Sequence, residues 1–184
     1  MLATDQGRPE ADSAPPDVVR AAFRDLHGRH LHGFALLLTL GDAAGAAQLT
    51  VDALDAAGPR LDELRHPERA AAWLRARVVR MSRGIARGAL RMQPLAELGV
   101  DPEVAGALGT LGHLERAAVI AASVERLDRR DVGTVVGRDG VALDRLLTRS
   151  RRRYAAAHAA RAGEEIAAGP MVDRVRAEAA RALR

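Results

Sequence analysis

The chain has 184 residues, room for one large or two small domains, and a net charge of +4, with all 28 of its basic residues arginine. It holds no cysteine, which excludes disulfides, thiolate metal sites and cysteine nucleophiles, and no apolar run near the roughly 20 residues of a membrane span. Aromatics make up only 2% of the chain while alanine supplies much of its 48% hydrophobic content, which speaks against a β fold and for an all-α protein of lightly packed helical bundles.

Residues 1–16 are polar, include Pro9, Pro15 and Pro16, and read as a disordered lead-in. A helix is predicted over 17–40, with Val18, Ala22, Leu26, Leu31 and Phe34 on one broad inward stripe and Gly41 stopping it. A second fits 42–57, with Ala46, Leu49, Ala53 and Leu54 inward and Gly58-Pro59 at its end. The third starts at His66-Pro67, where a proline suits the first helical turn, and runs to about Leu90 behind Trp73, Leu74, Val78, Met81 and Ile85. Periodicity breaks over 93–102, so 93–108 reads as an interdomain linker, with a short helix opening at Asp101-Pro102 and fading into Gly106, Gly109 and Gly112. Helices over 113–127, 128–136 and 139–161 come next, and Gly169-Pro170 sets off a last amphipathic helix with Val172, Val175, Ala179 and Leu183 on one side. The expected organisation is two small helical domains, 17–92 and 109–161, joined by the linker and followed by a C-terminal amphipathic helix within 162–184. The N-terminus lacks the basic-then-apolar layout of a signal peptide, and a cytoplasmic location is expected.

Charge is unevenly spread. Residues 1–17 hold four acids against one arginine, whereas 144–153 hold five arginines against one acid, a candidate polyanion footprint. The surrounding pattern is that of a helix-turn-helix. Ala117, Ile120, Val124 and Leu127 recur at helical spacing and form a supporting helix. Asp128 is a good N-cap, with Asp131 three residues on, and Val132, Val135 and Val136 face inward. Gly137 falls where the chain must turn sharply, a place that favours positive φ. Asp139 caps the next helix, whose buried side is Leu143, Leu147, Ser150 and Tyr154; the opposite side brings out Arg145, Thr148, Arg149 and Arg152. Packed behind and cationic in front, this helix is laid out for a major groove.

These residues resemble region four of the bacterial RNA polymerase sigma factors of the extracytoplasmic-function type, which reads the minus-thirty-five promoter element. Leu111-Gly112, Arg116, Glu125-Arg126-Leu127-Asp128, Val132-Gly133, Val136-Gly137 and Leu143-Asp144-Arg145-Leu146-Leu147-Thr148-Arg149-Ser150-Arg151 keep the family's register without a gap up to Tyr154. The N-terminal half is similar to region two. Phe23, Leu26, His27 and His30 match its opening helix, Gly41-Asp42, Ala46 and Leu49 its second, and Ala72-Trp73-Leu74 the residues before the helix that captures the minus-ten element. The resemblance implies a DNA-binding protein of transcription initiation, with promoter DNA and core RNA polymerase as partners and an anti-sigma factor as a further one. Its DNA-facing residues would be Arg138, Ala142, Arg145, Thr148, Arg149 and Arg152, and its polymerase-facing positions Ala47, Gln48, Val51 and Asp52.

The chain departs from the family at defined places. Acidic pairs that meet the polymerase are Ala47-Gln48 and Val51-Asp52 here, and the chain has no asparagine for the Arg-Asn pair that comes after Ala-Trp-Leu. The lysine of the recognition helix is Asp144, whose charge is expected to repel phosphates. These erosions admit a second reading, a sigma-fold interaction protein that binds DNA or a partner without initiating transcription.

Other constellations carry less. His27 and His30 stand one helical turn apart, with no acid or cysteine near enough in sequence to complete a metal site. None of the serines, Ser13, Ser82, Ser123 and Ser150, sits in a nucleophile elbow, and a chain without lysine has no phosphate-binding Gly-Lys loop. Neither enzymatic activity nor a cofactor is expected. The last helix either packs on the body or docks a regulator.

Overall fold

The computed structural model describes residues 16–84 and 89–182, with side chains within 17–83 and 89–163. The lead-in up to residue 15, Ile85 and the outward face of the last helix therefore lie outside the described residues. Eight α-helices make up the described chain and no strand occurs among its residues: α1 Pro16–Leu38, α2 Ala43–Ala57, α3 Pro67–Met81, α4 Met92–Glu97, α5 Pro102–Gly109, α6 His113–Val119, α7 Arg129–Val136 and α8 Gly140–Ala182. No helix among the described residues is long and apolar enough to cross a membrane.

The first three helices form a bundle. Helix α2 buries Ala46, Leu49, Ala53 and Leu54, as its spacing predicts, and adds Thr50 and Ala57. In α1 the inward phase differs from the predicted stripe. Phe23, His27, Leu31 and Phe34 turn toward the core, while Val18, Ala22 and Leu26 are exposed, Leu26 at 58%. From Phe34 to Leu38 every side chain is buried, because that end is covered on all sides. A helix apolar all round carries no phase information, so the exposed half had to take its phase from Phe23 and His27. Helix α3 has its proline in the first turn and stops at Met81, short of Leu90; Ser82 closes it by donating to the Val78 carbonyl at 2.8 Å.

Between α1 and α2 the chain passes through Leu40 and Gly41, both at positive φ. Arg91 closes over this turn: its amide donates to the Leu40 carbonyl at 2.9 Å and its guanidinium to Asp42 at 2.7 Å. A Cβ on Gly41, at φ +86, would lie 2.0 Å from the Arg91 carbonyl oxygen. Gly41→Ala should therefore combine strain with overpacking and lower stability by about 2–3 kcal/mol in urea titrations. Gly137→Ala, at φ +63 in open space, should cost only about 1 kcal/mol. Equal losses at the two sites would refute the role given to Arg91.

The stretch 93–108, expected as a linker, is folded: α5 follows the short helix expected from Asp101-Pro102, α4 has no counterpart among the expected elements, and together they bury Leu95, Ala105 and Leu108. Helices too short for a visible period still bury one or two anchors each. The two halves then join in one contiguous core: α3 packs on α7, α8 on α5 and α6, and α1 touches α4 and α6. Helix α8 also differs from expectation, running unbroken through Gly169 and Pro170. A proline deletes one amide donor and kinks a helix, but the alanine-rich sequence on both sides favours continuation.

Candidate nucleic-acid interface

The helix-turn-helix forms as its sequence signals predict. The Asp128 carboxylate accepts from the Asp131 amide at 2.8 Å, capping α7. Val132, Val135 and Val136 are buried, and Gly137 ends the helix in the left-handed region. On α8, Leu143 and Ser150 are buried with Leu146, and Leu147 and Tyr154 are partly so; the Ser150 hydroxyl donates back to the Leu146 carbonyl at 2.6 Å.

The supporting helix does not run straight to Leu127. After α6 the backbone makes a π turn over Ile120–Val124, with the Glu125 amide donating to the Ile120 carbonyl at 3.0 Å. Each π turn adds a residue and rotates the chain beyond it by about 100°. Ala117 and Ile120 are therefore inside as predicted, Val124 is 55% exposed, and Glu125 swings inward to meet Arg75 of α3.

All six candidate DNA-facing residues, Arg138, Ala142, Arg145, Thr148, Arg149 and Arg152, are exposed. Arg149 is not free, because its guanidinium forms an ion pair with Glu115, Nε to Oε1 2.9 Å. Glu115 is itself buried: it accepts from the Gly112 amide at 3.0 Å and from Arg153, which also reaches the Thr110 carbonyl at 2.9 Å. One carboxylate thus ties α8 to the start of α6 through two arginines. Arg138, Arg145 and Arg149 overlook the shallow groove that this joint leaves.

Asp144 does not act as an isolated repelling charge. Arg129 grips both its oxygens, at 2.9 and 3.0 Å, and the same guanidinium donates to the Gly140 carbonyl at 3.0 Å. The pair clasps α7 to the first turn of α8. An exposed pair of this kind adds little stability, but a bidentate contact fixes geometry.

Four residues behind the interface have a burial and partners that the sequence does not announce. Arg116 is almost fully buried and donates to three carbonyls, Leu108 at 3.0 Å, Leu38 at 2.7 Å and Leu111 at 3.1 Å. Burial pulls its pKa down to about 10, so it stays charged at neutral pH. His113 lies 3.0 Å through Nε2 from the Val79 carbonyl, which can only accept, so that nitrogen carries the hydrogen. Burial lowers its pKa; the Val79 bond works against this, and the Arg116 and Arg83 charges add to it. Arg75 and Glu125 form a buried ion pair, with one arm at 2.7 Å. No sequence signal announces a buried arginine, since apolar stems and outer-face charges look alike in a periodic pattern.

On α2, Ala47, Gln48, Val51 and Asp52 are exposed on one face, and the Gln48 amide donates to Asp52 at 2.8 Å. His27 and His30 do not converge: His27 is buried with its ring tilted against Phe23 at 4.6 Å, and His30 faces out. Compared with known proteins, the chain matches no family model, and no curated protein is significantly similar to it.

Proposed function

We propose that this chain is a sigma-type DNA-binding protein of transcription initiation, which grips promoter DNA with the exposed side of α8. The observation that carries this reading is the capped α7, the left-handed turn at Gly137 and the row of arginines at 138, 145, 149 and 152 on one exposed side. Core RNA polymerase is the partner assigned to the outer face of α2, an anti-sigma factor is a further partner implied by the resemblance, and the cytoplasm is where such a protein would work. The second reading, a sigma-fold protein that binds without initiating, is favoured by the burial of Arg75, which directly follows Ala72-Trp73-Leu74.

Salt titration tests the DNA face. Neutralised phosphates set the slope of log affinity against log salt. Arg145→Ala and Arg152→Ala should each flatten that slope by about one unit. Arg149→Ala should flatten it by less than one, because Arg149 must leave Glu115 to meet a phosphate. Unchanged slopes at 145 and 152 would assign these arginines to a solvated face. Initiation is tested separately: the chain should co-purify with core polymerase and support run-off transcription, and failure of both leaves the second reading.

A further inference from the structure

Residues of α1 and of the first turns of α3 and α7 line a groove of about 440 Å³, within the size range of small-molecule sites. No residue of α8 lines it, so it stands apart from the DNA-facing side. Leu26, Ala71 and Leu127 supply apolar wall, while Glu68 of α3 and Asp131 of α7 each bring a carboxylate. Neither acid forms an ion pair among the described residues. Burial raises the Asp131 pKa, and the Asp128 and Glu68 charges add to the rise against the opposing pull of Arg130 and Arg69. An acid in the first turn of one helix is ordinary, since it faces exposed amides. Acids of two helices that repel each other at one groove leave negative charge for something else to answer.

A second group there is also unanswered. His27 is 7% exposed, lines the groove, and its Nε2 has no hydrogen-bond partner among the described residues. Burial lowers its pKa, with the Arg75 and His30 charges adding to the effect, and a neutral imidazole keeps one nitrogen as an acceptor. The groove thus calls for positive charge and hydrogen-bond donors on an apolar stem. A guanidinium has donors only, keeps its charge, and meets carboxylates through a planar fork. An ammonium is a compact and more strongly hydrated charge, less suited to a partly apolar groove. A metal ion needs converging ligands, and no group of three His, Asp or Glu is placed to hold one among the described residues. The one arginine lining the groove is Arg126, which is exposed and forms no ion pair among the described residues. It stands at the site as a competing positive charge.

We propose that this groove binds an alkylguanidinium through Glu68 and Asp131, with His27 as a third acceptor. The group comes from a free small molecule or from a second copy of this chain, whose 28 basic residues are all arginine. The proposal does not depend on the DNA-binding role of α8.

The test titrates the full chain with butylguanidinium and follows the His27 ring nitrogens and the Glu68 and Asp131 amides by NMR. All three should shift and saturate together. Asp131→Asn should weaken binding about tenfold and the more exposed Glu68→Gln about threefold. Arg126→Ala should tighten binding about twofold by removing the competing charge. Glu97→Gln, the same change of charge on the exposed side of α4, should leave it unaltered, and butylammonium should bind more weakly. If a second copy supplies the group, the chain should self-associate as its concentration rises, and butylguanidinium should reverse this. If a free ligand supplies it, the chain should stay monomeric throughout. Absence of saturable shifts, equal weakening by Glu97→Gln, or equal binding of butylammonium overturns the proposal.

Discussion

Arg116→Met should destabilise the protein by about 3–5 kcal/mol, a large part of the roughly 5–15 kcal/mol that holds a domain folded. Urea or thermal unfolding would measure it. The three carbonyls that Arg116 serves come from two helix ends and the turn beside them: Leu38 closes α1, Leu108 is in the last turn of α5, and Leu111 lies between α5 and α6. Helix ends leave carbonyls short of intrahelical donors, and here one nearly fully buried guanidinium donates to two such carbonyls and to a third in the turn between α5 and α6. Methionine fills much of the volume but donates nothing. Arg116→Lys should recover only part of the loss, because an ammonium lacks the planar fork that reaches three directions at once.

The pH behaviour has its origin in the same burial. The folded pKa of Arg116, about 10, lies below the ordinary value of a free guanidinium. Between those values the unfolded chain holds the proton and the fold releases it, so stability from this group rises with pH in that window. Below it both states are charged, and the penalty for burying the cation is constant and opposed by the three hydrogen bonds. The effect of Arg116→Met should accordingly be flat from about pH 7 to 8, above the range in which His113, whose pKa the Arg116 charge helps to lower, takes up a proton. A loss under about 1 kcal/mol, the worth of one ordinary hydrogen bond, would mean that water reaches those carbonyls.

Local chemistry made the helix-turn-helix legible from sequence. Asp128, Gly137 and the Leu143 to Ser150 stripe each carry a signal confined to a few neighbours, a cap, a left-handed turn and a helical period. The features that stayed illegible depended on distant partners or on a shift of phase. The π turn after Val119 cannot be read from periodicity, yet it moves Val124 out and Glu125 in. The outward turn of Val18 and Leu26 reflects the neighbours beside each half of α1, which no window along that helix contains. Asp144 looked like a defect in the DNA face because its partner, Arg129, lies across the turn. Of the six residues assigned to that face, sequence placed all on the exposed side but could not tell that Arg149 already answers a carboxylate.

The ion pair between α3 and the end of the π turn supplies the other large effect. Arg75 and Glu125 are 7% and 14% exposed in their side chains, and Arg75 also donates to the Ala71 carbonyl at 3.0 Å. Breaking such a pair from one side leaves a charge buried without its counterion. Glu125→Met should therefore cost about 3–5 kcal/mol, and Arg75→Met a similar amount. Replacing both by methionine removes the uncompensated charge together with the pair, so the double variant should be far less destabilised than the sum of the two singles. The cycle also separates two roles for the contact. Where the pair only holds α3 against the helix-turn-helix, the double variant regains stability and binds duplex DNA like the parent. Where its charge and geometry aim α8, stability returns but duplex affinity stays low. Additive losses in the cycle would show that the two side chains do not act as a pair.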